Sequence, residues 1–310
     1  MTRPCPAVGR FAPSPTGPLH QGSLVAAVGS FALARRTGGR WLLRIEDLDL
    51  PRVVPGAAED FFRTLEALGF SWDGEVVWQS RRTEAYREAL QRLERLGFAY
   101  PCGCTRAEIA RAASAPHPGE EGPAYPGTCR GGLPHGREVR AVRVRVADEP
   151  LAFSDAIFGP VRTCLADSCG DFVVRRADGL FAYQLAVVVD DAASGVTQVV
   201  RGADLLGSTP RQIRLQHLLG LPTPAYAHLP LVTGPWGAKL SKRDCAVSLA
   251  TGQDLAREGG ALLLAALRFL GQDPPPDLHR APPREVLAWS AAHFDPARVP
   301  REGGLFSREA

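Results

Sequence analysis

The chain is almost without lysine. Of its 36 basic residues, 34 are Arg and two are Lys, and methionine occurs once. Beside abundant Ala, Gly, Pro and Arg, this has the form of a compositional bias, which makes the surviving lysines informative. Lys239 and Lys242 fall in one pentapeptide, KLSKR (239–243). No run of 18 apolar residues is present, so no membrane span is expected. The start, MTRPCPAVGRFAPSP, has no apolar segment of the signal-peptide kind, and a cytoplasmic protein is the expectation. The net charge of +3 is too small to argue for nucleic-acid binding by itself. Seven cysteines, an odd number, make a poor disulfide framework. In a reducing compartment, clustered cysteines are better read as metal ligands.

What is present suits a globular protein with an ample core: 310 residues, 45% hydrophobic and 22% charged. AVGRFAP reads as a strand running into a Pro/Gly loop, PSPTGPLHQG. SLVAAVGSFALARR has helical length and composition, with Ser23 as its expected cap. RWLLRIED reads as a buried parallel strand. AAEDFFRTLEALG and RTEAYREALQRLERLG read as helices, each stopped by a glycine. Strand and helix alternating in this way predicts an α/β fold with a parallel sheet.

From about Tyr100 to Pro134 the chain turns rich in Pro, Gly and Cys. EVRAVRVRV alternates like a half-exposed strand. DFVVRRADGLFAY predicts a hairpin around Ala177, Asp178 and Gly179. VTQVVRGADLL reads as a strand leading to a helix, STPRQIRLQHLLG, capped by Ser208 or Thr209 with Pro210 in its first turn. After KLSKR, 67 residues remain, which read as two short helices and a tail. The expected organisation is a first core half at 1–97, an insertion at 98–180, a second core half at 181–250 and a helical part at 251–310.

Three stretches carry chemistry. PSPTGPLHQGS can bring backbone N–H groups and a helix N-terminus onto an anion, with His20 and Gly22 at that end. On spacing alone an ordinary tight turn explains it equally well, because it is neither a P-loop nor G-x-G-x-x-G. KLSKR offers two compact ammonium groups, flanked by Gly237 and Ser241, that can follow a phosphate through a reaction better than a rigid guanidinium can. Cys102, Cys104 and Cys129 are three thiols that need a fourth ligand to make a tetrahedral zinc site, and His117 is the obvious candidate on general chemistry.

RFAPSPTGPLHQGS followed much later by KLSKR resembles the paired signatures of class I aminoacyl-tRNA synthetases. His20-Gln21-Gly22-Ser23 stands in place of HIGH, and Lys239-Leu240-Ser241-Lys242-Arg243 in place of KMSKS. FAPSPTGPLH resembles the glutamyl and glutaminyl branch. The likeness continues through RIEDLD (Arg44–Asp49), YQLAVVVDD (Tyr183–Asp191) and VVRGADLL (Val199–Leu206). It implies a Rossmann-like class I catalytic core, split by a zinc-bearing insertion and followed by a small helical C-terminal part. It implies ATP with Mg²⁺, and L-glutamate as the amino acid activated. His20, Lys239 and Lys242 are then the expected catalytic residues, with His20, Gly22 and Lys242 on ATP. Arg10, Phe11, Ala12, Pro13, Ser14, Glu46, Tyr183 and Arg201 are the expected glutamate-binding residues. The family's C-x-C…Y-x-x-x-C spacing implies Cys102, Cys104, Tyr125 and Cys129 as zinc ligands, with His117 or His135 as rivals to Tyr125.

The short stretch after KLSKR has no room for a large anticodon-binding region. Together with the cysteine insert, this resembles the glutamyl-Q tRNA(Asp) synthetases. That resemblance implies tRNA-independent activation of glutamate and transfer to queuosine in the anticodon loop of tRNA(Asp), by a monomer. Arg140, Arg143, Arg145, Arg175 and Arg176 are then candidates for phosphate contacts. The alternatives are a minimal glutamyl-tRNA synthetase that charges the 3′ end, another nucleotidyltransferase of the same superfold, or a non-catalytic zinc- and RNA-binding paralogue. Lys242→Ala is expected to lower kcat for glutamate-dependent ATP–pyrophosphate exchange by about 10²–10³, the usual cost of one charge-stabilising group. An unchanged rate would remove this loop from catalysis.

Overall fold

The computed structural model describes residues 5–112, 124–233 and 255–306. Lys239, Lys242, Gly237, Ser241, His117 and Cys245 lie outside the described residues.

The first half contains β1 (Val8–Phe11), α1 (Gln21–Arg36), β2 (Arg40–Ile45), α2 (Ala57–Ala67), β3 (Val77–Trp78) and α3 (Thr83–Arg95). The insert begins with β4 (Ala99–Cys102), α4 (Arg106–Ala112) and β5 (Ala141–Val144). There follow β6 (Pro150–Asp155), β7 (Gly159–Cys164), α5 (Leu165–Ser168) and β8 (Phe172–Arg175). The second half holds α6 (Tyr183–Ala193), β9 (Gln198–Gly202), α7 (Thr209–Leu219) and β10 (Ala225–Leu229), and α8 (Leu255–Phe269) and α9 (Pro283–His293) come last.

β1, β2 and β3 form one parallel sheet in that order. The second sheet has the order β7-β6-β10-β9, in which β9, β10 and β6 are parallel and β7 is antiparallel. The two sheets meet where the Thr197 N–H donates to the Val8 carbonyl at 2.9 Å and the Val8 N–H donates to Thr197 Oγ1 at 2.9 Å. The parallel α/β core expected from the alternation of elements is therefore present.

α1 is buried from Leu24 to Ala34, as a helix apolar nearly all round should be. It lies so close to β10 that a Cβ on Gly29 would come within 2.6 Å of Leu229 Cδ1. Trp41 is fully buried, packs edge-on to Phe31 and stacks on Phe70, and gives its Nε1–H to Ser30 Oγ at 3.0 Å. The α8 residues Leu262, Leu263 and Leu267 join this same core, with Leu270 just after the helix and Val286 and Phe294 from the region of α9. The C-terminal helices are thus part of the packing of the parallel α/β core. Among the described residues no helix is long and apolar enough to cross a membrane.

The insert departs from the expected plan in two ways. β4, β5 and β8 make a separate antiparallel sheet, but the hairpin β6–β7 pairs with the core at Tyr226↔Asp155. The stretch 98–180 is therefore shared between two sheets. In addition, the alternating Arg/Val segment is short, bulged at Val142/Arg143 and covered on both faces, so that Arg143 is buried. The tight turn at 176–180 is present, with Arg176 and Leu180 hydrogen-bonded across it and a bridge from Arg175 to Phe181.

Leu263 is fully buried in the core shared by α1 and α8. Leu263→Ala should lower the unfolding free energy by about 2–5 kcal/mol. Circular dichroism and tryptophan fluorescence should then report one coincident transition, whereas an independent C-terminal unit would unfold separately.

Candidate active site

One cavity of about 700 Å³ opens at the C-terminal ends of β1, β2, β9 and β10, the edge at which parallel sheets place ligands. Arg10, Phe11, Ala12, Pro13, Ser14, His20, Gly22, Glu46, Tyr183 and Arg201 all line it. The structure thus brings every described residue expected on glutamate or ATP to a single space. The Glu46 N–H donates to the Pro13 carbonyl at 3.0 Å, which fixes the Pro/Gly loop against the end of β2.

The charges are interlocked. Asp191 Oδ1 accepts from Arg10 Nε at 3.2 Å and from Arg44 NH1 at 2.6 Å. Arg44 NH2 reaches Glu46 Oε1 at 3.1 Å. Burial works to raise the Asp191 carboxyl, but Arg10 and Arg44 outweigh it and hold the group below the usual carboxylate range. Burial pushes Glu46 upward, against the pull of Arg44 and Arg10. Burial likewise raises Tyr183, against the nearby Arg201 charge. Arg201 donates to Tyr183 Oη at 3.3 Å, Thr209 Oγ1 at 2.7 Å and His228 Nε2 at 3.1 Å. Of the charged groups that line the cavity, Arg52, Arg176 and Asp204 are exposed, whereas Arg10 and Arg201 are buried and Glu46 is half-buried beside them. These last three have the charge pattern that complements an amino acid with two carboxylates and one ammonium.

The cap of α1 is His20, where Ser23 was expected. His20 Nδ1 accepts from the Ser23 N–H at 3.3 Å. This bond assigns the ring proton to Nε2 whenever the imidazole is neutral. A Cβ on Gly22 would stand 3.2 Å from two atoms of the imidazole, so glycine leaves that ring its place. The first turn of α1 carries no acidic residue, which keeps its N-terminus suited to an anion. At the cavity mouth, Arg176 pairs with Asp49 at 3.3 Å and Asp178 at 2.6 Å.

The insert holds a second constellation. The thiols of Cys102, Cys104 and Cys129 lie within 4.8 Å of one another. Tyr125 Oη is 3.3 Å from Cys102 Sγ and 3.6 Å from Cys104 Sγ, and Cys104 Sγ is 3.6 Å from Cys129 Sγ. A tetrahedral zinc with three thiolates and one oxygen needs ligand–ligand edges of about 3.5–3.8 Å, so these four residues fit the metal. His135 is exposed and stands outside the cluster. Arg143 does not face solvent as a phosphate contact would. Its guanidinium lies 3.8 Å from the centre of the Tyr125 ring, and its Nε donates to Cys102 Sγ at 3.4 Å. Arg145 is tied to the carbonyls of Gly97 and Arg130, whereas Arg140, Arg175 and Arg176 are exposed. Cys5 is exposed, and Cys164 and Cys169 are half-buried outside the cluster.

Residues 7–275 match the family described as tRNA synthetases class I (E and Q), catalytic domain. The glutamyl-Q tRNA(Asp) synthetase of Geobacter sulfurreducens is 66% identical over 301 residues, covering 97% of this chain and 96% of that protein. The protein of the same name from Aromatoleum aromaticum is 59% identical, covering 98% and 96%. The chain belongs to the glutamyl-Q tRNA(Asp) synthetase family. That membership makes it an enzyme of the ligase type. In three dimensions it is similar to a glutamate tRNA ligase from Elizabethkingia meningosepticum solved with its amino acid, at a TM-score of 0.79 and 26% identity, covering 98% of this chain and 68% of that one.

For this member of the glutamyl-Q tRNA(Asp) synthetase family, four residues of the charge lattice were not singled out by sequence. Arg44 and Asp191 stand inside the RIEDLD and YQLAVVVDD stretches, whose charges in apolar company were a usable signal. Thr209 was read only as a possible helix cap, and His228 gave no signal, because an isolated His is usually incidental. Asp191→Asn keeps the shape but leaves Arg10 and Arg44 without a shared counter-charge. It should cost about 3–5 kcal/mol of unfolding free energy at neutral pH in urea titrations. Since the folded-state pKa is depressed, Asp191 stabilises fully above its unfolded value, and the effect is lost as pH falls through the folded value. The variant should therefore lack that part of the wild-type loss of stability in acid.

Proposed function

We propose that this chain activates L-glutamate with ATP in the absence of tRNA and passes it to queuosine at the wobble position of tRNA(Asp). The observation that carries the reading is the convergence of Arg10, Arg201 and Glu46 in one cavity with the His20-capped start of α1. The name shared by relatives that cover nearly the whole chain supports the nucleic-acid partner. The class I domain uses ATP, with Mg²⁺ on its phosphates.

The chemistry follows from the charges. Arg10 and Arg201 hold carboxylates, Glu46 holds the ammonium, and Tyr183 braces Arg201. One oxygen of the glutamate α-carboxylate attacks the α-phosphorus, and the bond to the bridging oxygen breaks. Pyrophosphate leaves with that electron pair, and glutamyl-adenylate remains. Negative charge on the phosphate oxygens is met by the Nε2–H of His20, the N-terminus of α1, and Lys239 and Lys242 from the KLSKR segment. A hydroxyl of queuosine then attacks the acyl carbon, loses its proton and displaces AMP. The anticodon stem-loop of tRNA(Asp) would approach at the mouth, where Arg176 stands beside Asp49.

Cys102, Cys104, Tyr125 and Cys129 are the residues that would hold zinc. Bound there, the metal would supply a structural cross-link for a segment with a small core of its own. Arg143 would offset part of the thiolate charge.

The test is transfer of labelled glutamate to tRNA prepared with and without queuosine, run beside ATP–pyrophosphate exchange without tRNA. The expected result is exchange in the absence of tRNA and label only on queuosine-containing tRNA(Asp). Label at the 3′ end of tRNA(Glu), with exchange that depends on tRNA, would overturn the reading in favour of a minimal glutamyl-tRNA synthetase.

A further inference from the structure

Arg201 has a fixed buried foundation. Its Nε–H points at His228 Nε2, 3.1 Å away. A guanidinium nitrogen can only donate, so His228 Nε2 must present a lone pair. The other ring nitrogen, Nδ1, lies 2.6 Å from Asp155 Oδ2. Asp155 is buried, and its Oδ1 already accepts from the backbone N–H groups of Ile157 and Phe158, each at 2.9 Å, and of His228 at 3.3 Å. A carboxylate with that many donors around it is ionised, so the proton between the two residues belongs to His228 Nδ1. Thr209 Oγ1 accepts from Arg201 NH2 at 2.7 Å and lies 3.1 Å from His228 Nε2, so that it shares this edge of the guanidinium with the imidazole, while NH1 reaches Tyr183 Oη at 3.3 Å.

From this geometry we infer that His228, held by Asp155 as the neutral Nδ1–H tautomer, is a positioning residue that sets the Arg201 guanidinium for the substrate carboxylate. The inference rests on the reading of Arg201 as a glutamate-binding group. It gives the β6–β7 hairpin a role in the site, since Asp155 ends β6 and reaches Arg201 through one imidazole. An imidazolium at this position would turn its Nε2–H against Arg201 and drive the guanidinium off its acceptor. The surroundings oppose that charge. His228 is fully buried, with Arg201 and Arg10 nearby, and the Tyr226 ring lies parallel to its own at 6.2 Å. Burial foremost, with those two cations, holds His228 below the usual histidine range, even though Asp155 pulls the other way.

The test compares His228→Leu, His228→Gln and Arg201→Gln in glutamate-dependent ATP–pyrophosphate exchange. Losing the acceptor of a buried charged group should raise the KM for glutamate by about 10–100-fold in His228→Leu. The KM for ATP should stay within about twofold of wild type. His228→Gln carries an amide oxygen at a similar reach and should recover much of the loss. Equal effects of Leu and Gln, or equal effects on both substrates, would overturn the inference. A large effect of Arg201→Gln with none from His228→Leu would overturn the positioning role alone. No effect of Arg201→Gln on the KM for glutamate would overturn the reading of Arg201 and this inference with it. ¹⁵N spectra of histidine-labelled wild-type enzyme give a readout that needs no variant. The slowest-exchanging ring N–H should belong to a neutral imidazole protonated at Nδ1, and an Nε2–H tautomer or an imidazolium there would overturn the proposal.

Discussion

Asp191 is the point on which the site turns. Two guanidinium groups buried side by side at the floor of a site repel one another, and burial makes each of them costly. A single buried carboxylate from α6 serves both Arg10 of β1 and Arg44 of β2, at 3.2 and 2.6 Å. It thereby ties the second half of the core to the first, across strands that are far apart in the chain. Arg44 in turn holds Glu46, so a carboxylate that lines the cavity is placed by the same chain of contacts. The pocket's polarity is a property of this lattice as a whole.

The zinc-type cluster follows a comparable logic in the insert. Cys102, Tyr125 and Cys129 are buried together, and they are crossed by Arg143, a charged residue on a strand. Tyr100 donates to Asp171, which also receives Arg130 and the backbone N–H of Val146. Each buried charge here has a named partner, as satisfied polar networks require. These polar contacts and the stacked Arg143 stand beside an apolar cluster in which Val142, Val144, Phe172 and Val174 pack against α3 and α6.

Much of the fold was legible because local signals agreed with the tertiary outcome. The apolar stretch RWLLRI became β2, and glycine ended α2, α3 and α7 where expected. The Pro/Gly loop before α1 and the C-x-C…Y-x-x-x-C spacing named residues that the fold brings together, because loops and metal-type ligands carry their chemistry in short patterns. What stayed hidden was long-range. The helix starts earlier than expected, with His20 as its cap, because an imidazole nitrogen can accept from the Ser23 N–H, and residue preference at caps does not register that. Alternation in EVRAVRVRV suggested a solvent face, yet a bulge and a neighbouring aromatic ring drew Arg143 inside. No periodicity could show that Asp155, His228 and Arg201 meet, since they come from three different strands.

The path of the chain through the insert has one more consequence. The polypeptide leaves the core at β4, builds two of the three strands of the small sheet, returns to the core sheet as β6–β7, and goes back to finish the small sheet with β8. Such an arrangement is stitched, in the way that a thread passes twice through the same cloth. A protein engineer who wished to exchange the inserted block could not cut at its two outer ends and lift it away. The exchange would have to leave residues 150–164 in place, which makes the region a pair of separate grafts around a retained hairpin.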